Sequence, residues 1–246
     1  MDRLLYVSMT GAKHNAMAQG VLSNNLANVS TVGFKQDFAQ ARSMQVFGDS
    51  YPSRVYGLAE HPGTDFTKGP LTQTGQALDV SIHDQGFIAV EDAEGNEAYT
   101  RDGAMHVDVM GILRLASGIA VAGDAGPIFI PPFERLQIAS DGNISIRAVG
   151  QPSESLIEVN RIKLVNPRVD EIAKGEDGLF RRMDDLIEEP DASVGLVSGA
   201  LETSNVNSVD AMVQILSLSR QFELSVKMMK TAEENDQTVQ RLVQVS

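Results

Sequence analysis

Apolar and small side chains recur at Leu5, Met9, Ala12, Ala16, Leu22 and Leu26, close to the 3.6-residue helical period, with Gln19 as the one polar break. No proline falls between Asp2 and Asn28, so the spacing predicts an amphipathic helix with Asp2 as its N-cap and Ser30-Thr-Val-Gly33 as its exit. Toward the other end, Met212, Ile215, Ser219, Phe222, Val226 and Met229 follow a 3-4 spacing. Val209, Val213 and Leu216 widen that face, and Val239, Leu242 and Val243 resume it. This predicts a second helix of about 35 residues with coiled-coil character, capped by Asn207 and with Asp210 near the positive end of its dipole. Glu233, Glu234 and Asp236 interrupt the apolar face, and packing there is expected to be looser or to depend on a partner.

Between the ends the period falls to two. Leu78-Asp-Val-Ser-Ile82 alternates, Phe87 to Val90 is a short apolar run, and Leu136-Gln-Ile138 and Ile144-Ser-Ile146 flank the turn signal Asp141-Gly142. Ile157, Val159 and Arg161-Ile-Lys-Leu164 read as further strands. Residues 36–69, with Pro52, Gly57, Pro62, Gly63 and Gly69, lack a period and read as an extended connector. The expected organisation is mixed α and β: an N-terminal assembly helix over 1–35, the connector over 36–69, a central all-β domain over 70–200 and a C-terminal assembly helix over 201–246. Two amphipathic helices so far apart in sequence must bury their faces somewhere. They can pair with each other and with neighbouring subunits as a coiled-coil-like module, or close as a simple two-helix lid on the β domain.

Composition narrows the possibilities. The 246 residues are 42% hydrophobic, enough for a core, and the 21 glycines with few aromatics suit a turn-rich β protein. Cysteine is absent, which excludes disulfides, thiolate metal sites and thiol nucleophiles. No stretch approaches the roughly 20 apolar residues of a membrane span. The opening Met1-Asp-Arg-Leu-Leu-Tyr6 lacks the pattern of a cleaved signal, so any export is expected to proceed without one. The net charge of −13 lies entirely in the middle: residues 1–40 carry +1, 41–204 carry −13 and 205–246 carry −1. Near-neutral ends can pack against copies of themselves, while the acidic middle aids solubility and disfavours nucleic acid.

No catalytic constellation stands out. His14, His61, His83 and His106 are scattered and lack zinc-helix spacing, and neither a nucleophile elbow nor a phosphate-binding loop occurs. The acidic run Glu91–Glu97 lacks the spacing of a calcium loop and reads as a hairpin turn on Gly95-Asn96. A cell-wall hydrolase would need a positioned carboxylate pair, and an adhesin would need a surface patch that binds as a monomer; neither is indicated.

Residues 23–35, Ser-Asn-Asn-Leu-Ala-Asn-Val-Ser-Thr-Val-Gly-Phe-Lys, resemble the N-terminal signature of the bacterial flagellar rod and hook protein family. The resemblance continues in Leu78–Ile82, Gly86–Val90 and Tyr99-Thr-Arg-Asp-Gly103, and ends in Gly199–Asn207 and Arg220-Gln-Phe-Glu223. The opening residues, the length, and Phe222-Glu223 followed by Lys227–Asp236 are more similar to the proximal rod members than to the distal rod members, which remain the alternative.

This resemblance implies a structural subunit that passes through the flagellar type III export apparatus and assembles in the periplasm into a hollow, torque-transmitting shaft. Its partners would be other copies of itself and neighbouring rod proteins. No cofactor, metal, small-molecule substrate, nucleic acid or membrane insertion is expected. On the same basis Leu5, Met9, Leu22, Leu26, Met212, Ile215, Phe222, Val226 and Met229 would supply the helix seams. Asn24, Asn25, Asn28, Thr31, Gly33, Phe34, Asn205 and Asn207 would form turns and caps where each helix meets the rest of the chain.

Overall fold

The structure, a computed structural model, describes residues 2–38, 41–45, 55–59, 63–150 and 156–245; Pro52, His61 and Pro62 lie outside these, as do the side chains of Val239, Leu242 and Val243. The architecture is mixed, with a helix at each end and β structure between. The chain forms two compact units, one from residues 1–29, 36–65 and 206–246, the other from 30–35 and 66–205.

In the first unit α1 spans Asp2–Ala27 and α2 spans Ser208–Val245. The Asn207 side chain accepts the amides of Val209 at 3.1 Å and Asp210 at 3.4 Å, satisfying donors that the first helical turn leaves without partners. The two helices pack against each other and run antiparallel: Gln19 Nε2 donates to Ser219 Oγ at 3.2 Å, whereas Gly11, earlier on α1, faces Ser225, later on α2. The segment read as an extended connector contains two antiparallel ladders. Asp37–Phe38 pairs with Gly63–Thr64, and Ala41–Gln45 pairs with Val55–Ala59. Backbone pairing alone builds these short strands, and neither five-residue partner carries the alternation that would mark it in sequence.

In the second unit the largest sheet among the described residues has nine strands. Ile172–Lys174, Phe180–Arg182, Glu97–Thr100, Phe87–Glu91, Ala120–Gly123, Leu113–Leu115 and Met105–Val107 lie side by side, all antiparallel. A three-stranded sheet holds Phe133–Ile138, Asn143–Ala148 and Ile157–Arg161, its first hairpin turning at Gly142 with φ 88°. The inward residues of both sheets, among them Ile88, Val90, Leu113, Val121, Ile138, Ile144 and Leu164, merge into one apolar core. A smaller aromatic cluster sets the Phe87 and Phe180 ring centroids 5.3 Å apart, with Phe66 packed on both. Two short ladders join the last part of the unit to its first: Leu196–Ser198 pairs with Val80–Ile82, and Ala200–Glu202 with Leu71–Gln73.

Candidate functional site

The helical unit buries small residues along both of its helices. Ser8, Ala12 and Ala18 on α1, and Ala211 and Ala232 on α2, are buried, and Gly11 adds no side chain at all. Small side chains let two helix axes approach closely and leave larger ones nothing to cover. Leu5, Leu22, Leu26, Ile215 and Met229 are half-buried. Met9, Met212, Phe222 and Val226 are exposed, at 48%, 52%, 38% and 43%. Val209, Val213, Leu216 and Leu224 are exposed further, at 60–66%, so α2 presents an apolar stripe that α1 does not cover. Val213, Leu216, Ser217, Arg220, Gln221 and Leu224 line an open groove along it. Ser8, Ala18, Ala211 and Ala232 were missed in the sequence reading because small residues carry little hydropathy signal.

At the exit from α1 the asparagines work through the backbone. Asn28 donates from its amide and from Nδ2 to the Asn24 carbonyl, the latter at 3.0 Å. Buried Asn25 makes a reciprocal pair with Asp37: its Nδ2 donates to the Asp37 carbonyl at 2.8 Å, and its Oδ1 accepts the Asp37 amide at 3.0 Å. An amide side chain that offers both a donor and an acceptor can hold a strand in this way, and a leucine or an aspartate cannot.

Within the β unit, residues 30–35 meet residues 199–205. Gly33 takes φ 67°, its amide donates to the Glu202 carbonyl at 2.7 Å, and a Cβ there would lie 2.3 Å from the Arg101 carbonyl carbon. The Thr31 carbonyl accepts the Phe34 amide at 3.4 Å. The Phe34 ring lies under Lys174 Nζ at 3.9 Å, and the Phe34 carbonyl accepts the Asn205 amide at 3.4 Å. Asn205 Nδ2 also donates to the Thr67 carbonyl at 3.2 Å.

A buried charge cluster lies at the centre of this junction. Glu202 accepts Lys35 Nζ at 2.6 Å and the Gly69 amide at 2.9 Å on one oxygen, and Arg101 at 3.0 Å on the other. Lys35 also donates to the Thr67 carbonyl at 2.7 Å, and Arg101 to the Asp84 carbonyl at 2.9 Å. Burial alone would push the Glu202 carboxyl up. The Lys35 and Gly69 hydrogen bonds, with the charges of Lys35 and Arg101, outweigh that and hold it below the usual carboxylate range. Two cations share one carboxylate, and the bonds it accepts from Lys35, Gly69 and Arg101 make its burial tolerable, although Arg101 Nε is buried without a partner among the described residues. Lys35, Arg101 and Glu202 each sit inside one of the segments that carry the family resemblance, which was the one available signal that they belong together.

Three family models match the chain in order: "Flagella basal body rod protein" over residues 5–35, "Flagellar hook protein FlgE/F/G D1 domain" over 81–146 and "Flagellar basal body rod FlgEFG protein C-terminal" over 197–242. The chain is 36% identical to the flagellar basal-body rod protein FlgF of Escherichia coli (strain K12), covering all of both chains. It is 33% identical to FlgF of Caulobacter vibrioides, again over the whole of both. Against the flagellar basal-body rod protein FlgG of Bacillus subtilis (strain 168) the identity is 30%, over 95% of this chain and 96% of the relative. The chain belongs to the flagellar basal-body rod protein family. It is a structural subunit of the basal-body rod, and the comparisons favour FlgF over FlgG as its counterpart.

Proposed function

We propose that α1 and α2 pair as a coiled-coil-like module that builds the inner wall of a hollow helical shaft, and that this shaft transmits torque for motility. The observation that carries this reading is the apolar stripe of Val209, Met212, Val213, Leu216 and Leu224 left exposed on α2 after the small-residue seam has closed. Burying such a stripe against neighbouring subunits yields about 25 cal/mol per Å² of apolar surface, a cohesive force that needs no charge pairing. The partners are other copies of the chain and adjoining rod proteins in the periplasm, reached through the flagellar type III export apparatus. The role is structural rather than catalytic, with no cofactor or small-molecule substrate, and the proximal part of the rod is the favoured position.

Because the chain has no cysteine, introduced ones are unique probes. Val213→Cys paired with Met17→Cys, oxidised in purified basal bodies, should give ladders of cross-linked subunits. A matched pair in the β unit, Val109→Cys with Val149→Cys, should not. Ladders absent from the first pair in rods of normal length would refute the tube arrangement.

A further inference from the structure

After Arg182 the β unit places Met183, Leu186 and Ile187 in solvent, 67%, 62% and 71% exposed. The backbone holds them there. Arg182 bonds both Asp184 oxygens, at 2.7 and 2.6 Å, reaches Glu188, and lies 3.3 Å from Glu171. The Leu186 amide donates to Asp184 Oδ1 at 3.3 Å, and the Met183 amide to the Glu171 carbonyl at 2.9 Å. At the far end the Glu188 amide donates to the hydroxyl of buried Tyr99 at 3.1 Å. Between them Asp185 takes φ 55°, a left-handed conformation that costs a non-glycine residue energy and persists only where its surroundings enforce it. A loop pinned at both ends cannot turn its apolar side chains inward without breaking these bonds.

The rim of this loop is acidic. Residues 168–171 and 182–189 together hold six carboxylates and two arginines, a net charge of −4. A second copy would bring the β region's own excess negative charge against it, and an anionic lipid surface would be repelled in the same way. The complementary occupant carries apolar side chains flanked by lysine or arginine, so that covering Met183, Leu186 and Ile187 also neutralises the rim.

We propose that residues 182–189 form a preorganised docking loop for a cationic, apolar segment of another protein. This is a separate surface from the α2 stripe, so either assignment can fail without the other. The test uses the full-length chain and a short amphipathic leucine–lysine helix carrying a photo-crosslinker, at physiological salt, with adducts mapped by mass spectrometry. Adducts should concentrate on 183–189 and fall about tenfold or more in Leu186→Asn/Ile187→Asn. They should fall severalfold in Glu189→Lys and persist in Val213→Asn/Leu216→Asn. All five substitutions are at exposed positions, and unchanged melting confirms the fold; Glu189→Lys decides if Leu186→Asn/Ile187→Asn melts early. Adducts spread evenly over the acidic surface, confined to 208–228, equally abundant with a leucine–glutamate helix, or joining the loops of two copies would each overturn the proposal.

Discussion

The Lys35 ammonium and the Glu202 carboxylate meet at 2.6 Å across 167 residues of chain, with their side chains 1% and 0% exposed. Arg101 shares that carboxylate, so the three residues depend on it unequally. Replacing Glu202 by Gln leaves two buried cations uncompensated and should cost about 3–5 kcal/mol. Lys35→Met leaves Glu202 still bonded to Arg101 and Gly69, and should cost less, about 1.5–3 kcal/mol. Urea unfolding of the β unit, followed by near-ultraviolet signals, reads both; the reverse order would show that Lys35, not Glu202, anchors the junction.

Acid should weaken the junction through Glu202 and relieve a different strain through Asp102. The Glu202 carboxyl is depressed on folding, so its stabilisation is complete above the unfolded value of about 4.3 and is lost as pH falls through the lower folded value. Burial raises the Asp102 carboxyl, and the Asp79 charge adds to this despite a bond from the Ala104 amide. Its penalty is therefore full at neutral pH and absent below about pH 3.9. Asp102→Asn should be more stable than the parent at pH 7 and equal to it near pH 3.5. A constant difference across that range would show that packing, not ionisation, sets the effect.

Gly33 and Gly118 both have positive φ, 67° and 87°, yet only Gly33 is crowded. A Cβ on Gly118 meets nothing within 4 Å, whereas on Gly33 it would overlap the Arg101 backbone at 2.3 Å. Gly118→Ala should cost only the left-handed penalty, about 1–2 kcal/mol. Gly33→Ala should cost clearly more, because the chain must also move away from Arg101. Equal melting shifts in the two variants would remove close approach as the reason for glycine at position 33.

The two faces of α2 should respond in opposite ways. Ala232, 1% exposed, has no room for a larger side chain, so Ala232→Leu should destabilise the helical unit by about 1–3 kcal/mol. Leu216→Asp, at an exposed position, should leave helix melting within about 0.5 kcal/mol of the parent while abolishing motility and rod assembly. Circular dichroism and swarming assays separate the two. Normal swarming by Leu216→Asp would discard the stripe as an assembly face.

Periodicity revealed the helices and several strands because these depend on local sequence. The 3-4 spacing of Met212 to Met229 lies within α2, and Leu136-Gln-Ile138 and Ile144-Ser-Ile146 pair across the Asp141-Gly142 turn. Which helix face turns inward was harder to read. Hydropathy weights Met9 and Met212, but close packing selects Ser8, Ala18 and Ala211, whose small size matters more than their polarity.

The junction could not be read from composition at all. A lysine, an arginine and a glutamate in an acidic chain are most simply taken as solvated, and nothing near Lys35 in sequence announces a partner 167 residues away. The ladder of Asp37–Phe38 with Gly63–Thr64 was hidden for a related reason, since pairing only two residues on each side leaves no repeat to detect.

The carboxylate shared by Lys35 and Arg101 also makes the β unit sensitive to how much of the chain is present. A chain interrupted just before Glu202 contains both cations, the Gly33 turn and most of the core, but lacks the one anion that permits them to be enclosed. Closing such a fragment would trap two positive charges against each other, so it should stay open and vulnerable to proteases. The last strand therefore acts as a completeness check, with the native enclosure forming only once nearly the whole polypeptide is available.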